Sequence, residues 1–177
     1  MVSTLISWLI IFYISFSFGD LFLSFYNKFC KSEERYNFLD TFILGICFIT
    51  VLLSISSLWF PTNQYMLLIY IIVTIIYWTY QKKKLKSYLE KISSFSKSLT
   101  KFQISIIALS SFTVLFLLAF CSDFYDANVY HHQQIRWNEE YRVIPGLANI
   151  EDRFGFNSNY LLISALFSFR FLFGEAL

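Results

Sequence analysis

The stretch QYMLLIYIIVTIIYWTYQKKKLKSYLEK, residues 64–91, joins an apolar run directly to a cluster of lysines. Residues 64–80 carry no charged side chain and do not alternate between apolar and polar positions, as strands of a membrane barrel do. The run is therefore typical of a membrane-spanning helix, which needs about 20 mostly apolar residues. The lysines that follow it are the kind of segment that stays on the cytoplasmic side of a membrane.

The composition of the whole chain supports this interpretation. Of the 177 residues, 56% are hydrophobic, 21% are aromatic and only 15% are charged. A soluble domain of this size does not need so much apolar surface, so the sequence favours a membrane protein. The net charge of +2 is also too small for a nucleic-acid-binding footprint, and we expect no nucleic-acid partner.

Apolar runs of spanning length recur along the chain, and the pattern predicts an all-α, polytopic helical membrane protein. Four complete spans are expected, at about 4–26, 39–60, 64–80 and 104–121. A fifth span begins near residue 159 and is either short or incomplete within 159–177. Since few five-span bundles would enclose a complete transmembrane site, we expect the chain to be the N-terminal part of a longer protein.

The distribution of lysine sets the expected orientation. The segment 81–103 carries seven lysines and a single acidic residue, so we expect it to be a cytoplasmic loop. Counting spans from this loop places residues 28–37 on the cytoplasmic side as well. The N-terminus and the loop 122–158 then lie outside. The expected organisation is thus four spans within 1–121, an external loop, and the start of a fifth span at 159–177.

The external loop contains most of the side chains that could perform chemistry. Residues 122–157 have no lysine, three arginines and six of the twelve acidic residues. The absence of Gly and Pro allows a helix from Asp126 to Tyr141, lying along the membrane surface and ended by Pro145 and Gly146. At about 100° per residue, the helix is predicted to have two faces. One holds Asp126, Val129, Tyr130, Gln133, Trp137, Glu140 and Tyr141, and the other holds His131, Ile135, Asn138 and Glu139.

Several residues in the loop admit two interpretations. Asp123 and Asp126 follow the fourth span, where a lowered dielectric can raise a carboxylate pKa into a general-base range, but both are equally typical of a solvated span end. His131 and His132 diverge on a helix, which favours surface histidines over metal ligands. Arg153 suits a phosphate or a salt bridge. We expect no metal site and see no cofactor signal; a divalent metal is possible but unsupported.

The order of motifs in the loop resembles a known group of proteins. The relevant residues are, in order, Asp126, Tyr130 and His131; Ile135 and Trp137; Pro145, Gly146 and Leu147; and Arg153, Gly155, Phe156, Asn157 and Ser158. Together they resemble a loop of bacterial multispanning proteins of the GT-C glycosyltransferase type, in a largely uncharacterised group associated with surface-polysaccharide synthesis. The resemblance covers residues 120–167.

This resemblance implies an enzyme that transfers sugar from a polyprenyl-phosphate donor to a saccharide or lipid acceptor at the outer face of the bacterial cytoplasmic membrane. In such enzymes an acidic residue of a large external loop is the catalytic base, and Asp126 is the position that matches. Arg153 is the candidate for stabilising the leaving phosphate. The other candidate substrate-binding residues are Asp123, Tyr130, His131, Trp137 and Asn157.

Two other functions stay open at this point. The first is a polysaccharide polymerase or a lipid-linked saccharide transporter subunit, which would use Asp20, the one acid well inside a predicted span. The second is a non-catalytic membrane protein whose partners are the membrane lipids. Asp20 is equally compatible with a packing or snorkelling role near the cytoplasmic end of its span.

Overall fold

The computed structural model describes residues 2–31, 36–120, 127–150, 152–156 and 158–174, and within these ranges the chain is helical without any strand. This agrees with the predicted all-α class. The α-helices are α1 (Val2–Cys30), α2 (Phe38–Ser56), α3 (Gln64–Tyr80), α4 (Lys82–Ser98), α5 (Lys101–Phe120), α6 (His132–Glu140), α7 (Asn159–Leu166) and α8 (Arg170–Phe173). A π-helical turn, Ala127–His131, precedes α6, and two 3₁₀ turns follow it at Leu147–Asn149 and Asp152–Phe156.

The helices divide into two compact units. Helices α1 and α2, most of α3, and the helices from residue 127 onward form the first unit. The last turns of α3, together with α4 and α5, form the second. The described residues of the candidate site, which include Tyr130, Trp137 and Arg153, belong to the first unit.

Helices α1 and α2 cross at a pair of glycines. A Cβ on Gly19 would overlap the backbone carbonyl of Thr41, and one on Gly45 would overlap the carbonyl of Ser15. Small residues of this kind let two membrane helices approach until their backbones touch, so van der Waals contact can hold them together without a hydrophobic driving force. The crossing therefore depends on the absence of side chains at both glycines.

The core of the first unit joins this helix pair to α3 and to the segment after residue 159. Its buried apolar side chains are Ile14, Phe18, Ile49, Leu53, Met66, Leu67, Tyr70, Leu162, Leu166, Phe167 and Phe169. Other apolar residues of the same helices face outward, and Leu9 and Val51 remain more than half exposed. Helices that are apolar on both their packed and their outward sides are suited to a lipid environment.

The predicted spans are recovered to different degrees. By length and composition, α1 and α2 can each cross a membrane, and α3 with α4 adds a third span if this bent pair is counted as one. The predicted span at 104–121 falls in α5. The total of four complete spans remains a prediction.

The expected fifth span differs most from a simple helix. Helix α7 has only eight residues, about 12 Å of length, which is too short to cross a bilayer. It ends at Leu166, with Phe167 as its C-cap. Two residues later Phe169 adopts a left-handed conformation, with φ 50°, and the four-residue α8 begins directly afterwards. The apolar stretch after residue 159 is thus broken within the core rather than continuous to residue 174.

Candidate functional site

The helix predicted between Asp126 and Tyr141 is present over its described part. The sequence predicts a helix from Asp126 to Tyr141, and the chain forms the π-helical turn Ala127–His131 followed by α6. Tyr141 caps the C-terminus of α6 in an extended conformation, and its amide donates to the carbonyl of Trp137 over 2.8 Å. The helix therefore ends before the turn at Pro145 and Gly146, as expected.

The buried side of this helix differs from both predicted faces. Gln134 is only 6% exposed, and Tyr130, His131 and Asn138 are half-buried on the same side, whereas Gln133 is exposed. The buried seam thus runs between the two faces expected from a regular helical wheel. Gln134 and Asn138 both lie within the regular α6 and are four residues apart, which puts them on the same side of the helix.

The connection between α2 and α3 positions the end of α6. The backbone amide of Thr62 donates to the carbonyl of Asn138 over 2.7 Å, and the amide of Val143 donates to the carbonyl of Ser57 over 2.9 Å. The segment after α6 is also tied to α2, since the Ser54 hydroxyl donates to Asn159 Oδ1 over 3.0 Å. These bonds place the candidate site at the C-terminal end of α2, beside the connection from α2 to α3.

Four residues predicted for the site lie along one side of this region. The Arg153 guanidinium lies 5.6 Å from the ring centroid of Tyr130, which is the geometry of a cation–π contact. Tyr130 also meets His131 edge to face at 4.3 Å. About two turns farther along, Trp137 packs edge to face against Phe154 at 4.7 Å. These contacts therefore hold the 3₁₀ turn that carries Arg153 and Phe154 against the π-helical turn and against α6.

Three predicted site residues lie outside the described part of the chain. Asp123, the candidate base Asp126, and Asn157 all fall there, and their roles stay predictions. Ser158, which the sequence offers as a helix cap, does occupy the N-cap position of α7 in an extended conformation, without a side-chain capping bond among the described residues.

A second polar cluster, not predicted as a site, lies at the C-terminal end of α6. Arg170 Nε donates to Glu139 Oε2 over 2.9 Å, and the Glu139 side chain is only 11% exposed. Within the described residues, Glu139 Oε1 is buried without a hydrogen-bond partner. A buried carboxylate oxygen in this state is costly, so it requires either a protein group or a bound molecule to satisfy it.

A second ion pair on α6 differs from the first because it is exposed to solvent. Arg136 Nε donates to Glu140 Oε1 over 2.8 Å, with both side chains largely exposed. The hydrogen bond that Arg136 donates to Glu140 raises the pKa of the Arg136 guanidinium above its ordinary value. A surface salt bridge thus accounts for Arg136.

Two cavities adjoin α6. The larger, about 650 Å³, is lined by Asn63, Gln64, Glu139, Glu140, Tyr141, Ala165, Leu166, Ser168, Arg170 and Phe171. The smaller, about 180 Å³, lies under the loop after α6 and is lined by Trp137, Phe154 and the buried Gln134, whose Oε1 has no partner among the described residues. Amide, carboxylate and guanidinium groups together can donate to and accept from the hydroxyls of a polar ligand.

Only part of the cluster of Glu139 and Arg170 could be predicted from the sequence. Arg170 interrupts an apolar run, and a buried cation of this kind needs a carboxylate partner. Its partner is 31 positions away and could not be chosen from spacing, because the break at Phe169 determines where Arg170 points. Among the described residues, no group of three His, Cys, Asp or Glu side chains could hold a metal ion.

Comparisons with known proteins give one result. A family model described as "Domain of unknown function (DUF8201)" matches residues 1–177. Neither the curated proteins nor the solved structures contain a match to the chain. Since the model covers the whole sequence, the chain belongs to the DUF8201 family.

Proposed function

We propose that the protein is an integral membrane glycosyltransferase of the GT-C type, acting by itself or as the N-terminal part of one. It transfers sugar from a polyprenyl-phosphate donor to a saccharide or lipid acceptor at the outer face of a bacterial cytoplasmic membrane, in cell-surface polysaccharide or glycolipid synthesis. Residues 122–158 contribute the catalytic loop. The N-terminus lies outside, whereas the segments 28–37 and 81–103 lie in the cytoplasm.

The observation that carries this proposal is the grouping of motif residues along α6. Tyr130, His131, Trp137 and Arg153 come from two separate motifs of the resemblance, and contacts to α6 and its π turn draw both motifs into one region. A loop with only a connecting role has no need to hold an arginine over a tyrosine ring. Grouped cationic and aromatic side chains are suited to a phosphate and a sugar ring.

The backbone bonds between α6 and the α2–α3 connection support the proposed orientation. Span counting from the lysine-rich segment puts both the α2–α3 connection and residues 122–158 outside. If these two segments lay on opposite sides of a membrane, the bonds Thr62 to Asn138 and Val143 to Ser57 could not form. The local geometry is therefore compatible with the count.

The proposed chemistry is a single displacement. The Asp126 carboxylate takes the proton of the acceptor hydroxyl, whose oxygen attacks the anomeric carbon as the bond from that carbon to the donor phosphate oxygen breaks. The phosphate leaves with the bonding electrons, and Arg153 stabilises its charge. Tyr130 holds the Arg153 guanidinium through the cation–π contact.

The test compares two carboxyl groups of the same external segment. Membranes containing the full-length protein are supplied with radiolabelled polyprenyl-phosphate sugar, and transfer to endogenous acceptor is measured for Asp126→Asn and for Asp152→Asn, whose side chain is exposed. We expect a loss of at least a hundredfold for Asp126→Asn, in the range typical of a general base, and near-normal transfer for Asp152→Asn. Normal transfer by Asp126→Asn at equal protein levels would remove Asp126 from the mechanism.

A second candidate function is supported by the placement of Asp20. This acid is 2% exposed, next to Gly19 at the crossing of α1 with α2. A buried acid within packed spans is a candidate for handling a transported group, as in a saccharide transporter or polymerase subunit. In that case Asp20→Asn should reduce polysaccharide export or chain length more than Asp126→Asn does, with protein levels in the membrane unchanged.

A further inference from the structure

Helix α4 differs from the other long helices because its residues are charged and none is buried. It carries six lysines and one glutamate over Lys82–Ser98, a net charge of +5 by subtraction. Most of its side chains are exposed, and the remainder are only half-buried. Internal packing therefore does not explain why this segment is helical.

The apolar side chains of α4 form one continuous stripe. Leu85, Tyr88, Leu89, Ile92 and Phe95 recur at intervals of three and four residues, which brings them onto one face of the helix. At about 100° per residue they occupy roughly a third of the circumference, and every lysine falls in the remaining two thirds. Leu89, Ile92 and Phe95 are about half or more exposed, so this part of the stripe is not covered by the described residues of the protein.

The chain turns sharply where α4 begins. Helices α3 and α4 meet at 94° across Gln81. Trp78, in the last turn of α3, is 5% exposed and packs edge to face against Tyr88 of α4 with 6.2 Å between ring centroids. This contact fixes the bend. A helix at a right angle to a membrane-spanning helix runs parallel to the membrane surface.

Charge identifies what covers the apolar stripe. The stripe is bordered on one side by Lys84 and Lys91 and on the other by Lys82 and Lys86, whose long side chains can extend from an apolar boundary to headgroup level. The cytoplasmic leaflet attracts such basic segments through its anionic lipids. A second protein would need its own acidic surface around an apolar ridge, whereas an anionic bilayer supplies both throughout its interface.

We propose that α4 is an in-plane helix that docks on the anionic lipids of the cytoplasmic leaflet, with its apolar stripe in the acyl boundary and its lysines among the phosphate headgroups. This inference is independent of the proposed enzymatic function. It assigns α4 the role of fixing the depth and tilt of the adjoining end of α3 in the membrane, through the packed pair Trp78 and Tyr88.

The experiment measures the depth of individual α4 positions in the full-length protein. Single cysteines are introduced by Ile92→Cys or by Ser94→Cys, in a background whose native cysteines are serine, and spin-labelled. The protein is reconstituted into vesicles of phosphatidylcholine alone or of phosphatidylcholine with one quarter phosphatidylglycerol. Collision with oxygen, which is concentrated in the bilayer, is compared with collision with a water-soluble nickel chelate.

The label at residue 92 should collide several-fold more with oxygen than with the chelate, and the label at residue 94, on the lysine side, should show the reverse. Phosphatidylglycerol should increase this difference, and the combined change Lys83→Gln, Lys86→Gln, Lys91→Gln and Lys97→Gln should abolish that increase. Equal aqueous exposure of residues 92 and 94 in both vesicles would overturn the proposal. If residue 92 were buried equally in both kinds of vesicle, the proposed role of anionic lipid would be overturned.

Discussion

Helices α4 and α6 are both polar and both follow an apolar helix in sequence, yet their charged side chains are arranged differently. In α4 the lysines outnumber the acids by six to one, and no residue is buried. In α6, Arg136 and Glu140 pair with each other, Glu139 pairs with Arg170, and Gln134 is buried. An excess of like charge on an exposed helix is suited to a surface, whereas paired charge with buried polar atoms is suited to a defined site.

Of the stability changes that test this comparison, the largest is expected at the partly buried ion pair of α6. Glu139→Gln removes the carboxylate that neutralises Arg170, and we expect a loss of about 1–3 kcal/mol in the free energy of unfolding, measured in detergent. Glu140→Gln disrupts the exposed pair with Arg136 on the same helix and should cost much less. Equal losses would mean that burial does not distinguish the two pairs.

A smaller effect is expected at the break that delivers Arg170 to Glu139. Phe169→Gly and Phe169→Ala both remove the same buried ring, but only glycine adopts a φ of 50° without steric cost. The glycine variant should therefore be more stable than the alanine variant by about 1 kcal/mol in thermal unfolding.

A matched pair in α7 provides the control for the Phe169 variants. In the regular helix at Ser164, alanine should be more stable than glycine by a similar amount, about 1 kcal/mol. The reversal between the two positions is the diagnostic result. If alanine were more stable at both, residue 169 would not be left-handed in solution.

The smallest effect is expected in α4. Lys91 lies 5.7 Å from the Tyr88 ring on an exposed surface, and Lys91→Gln should change the free energy of unfolding by less than about 0.5 kcal/mol. Unfolding monitored in detergent, where no anionic lipid is present, is the appropriate measurement. A loss comparable to that of Glu139→Gln would show that α4 is held by internal packing after all, against the contrast with α6.

The sequence predicted the long helices well because their length is dictated by membrane thickness. The apolar runs at 39–60 and 64–80 end within a few residues of α2 and α3, and the external helix at 126–141 corresponds to the π turn and α6. These predictions rest on local composition and period alone. The helical character of the lysine-rich segment was also present in the spacing of Leu85, Leu89 and Ile92, but a positive charge count indicates only the side of a membrane.

Tertiary contacts were harder to predict from the sequence than the helices were. Gly19 and Gly45 lie in unremarkable apolar runs, and only the crossing of α1 with α2 shows that neither tolerates a side chain. The pairing of Glu139 with Arg170 depends on the left-handed residue Phe169, which no propensity favours at that position. The burial of Gln134 depends on the loop that covers this side of α6, which helical periodicity does not reveal. In each case the decisive partner lies far away in sequence or depends on an irregular backbone.

Both proposals place α6 on the outer side of the membrane and α4 on the cytoplasmic side, and one labelling experiment tests this proposed orientation directly. Lys84→Cys and Glu140→Cys are made separately in a background without native cysteines and exposed to a membrane-impermeant maleimide, before and after the cells are permeabilised. We predict that residue 140 is labelled in intact cells and that residue 84 is labelled only after permeabilisation. Labelling of residue 84 in intact cells, or of residue 140 only after permeabilisation, would contradict the orientation.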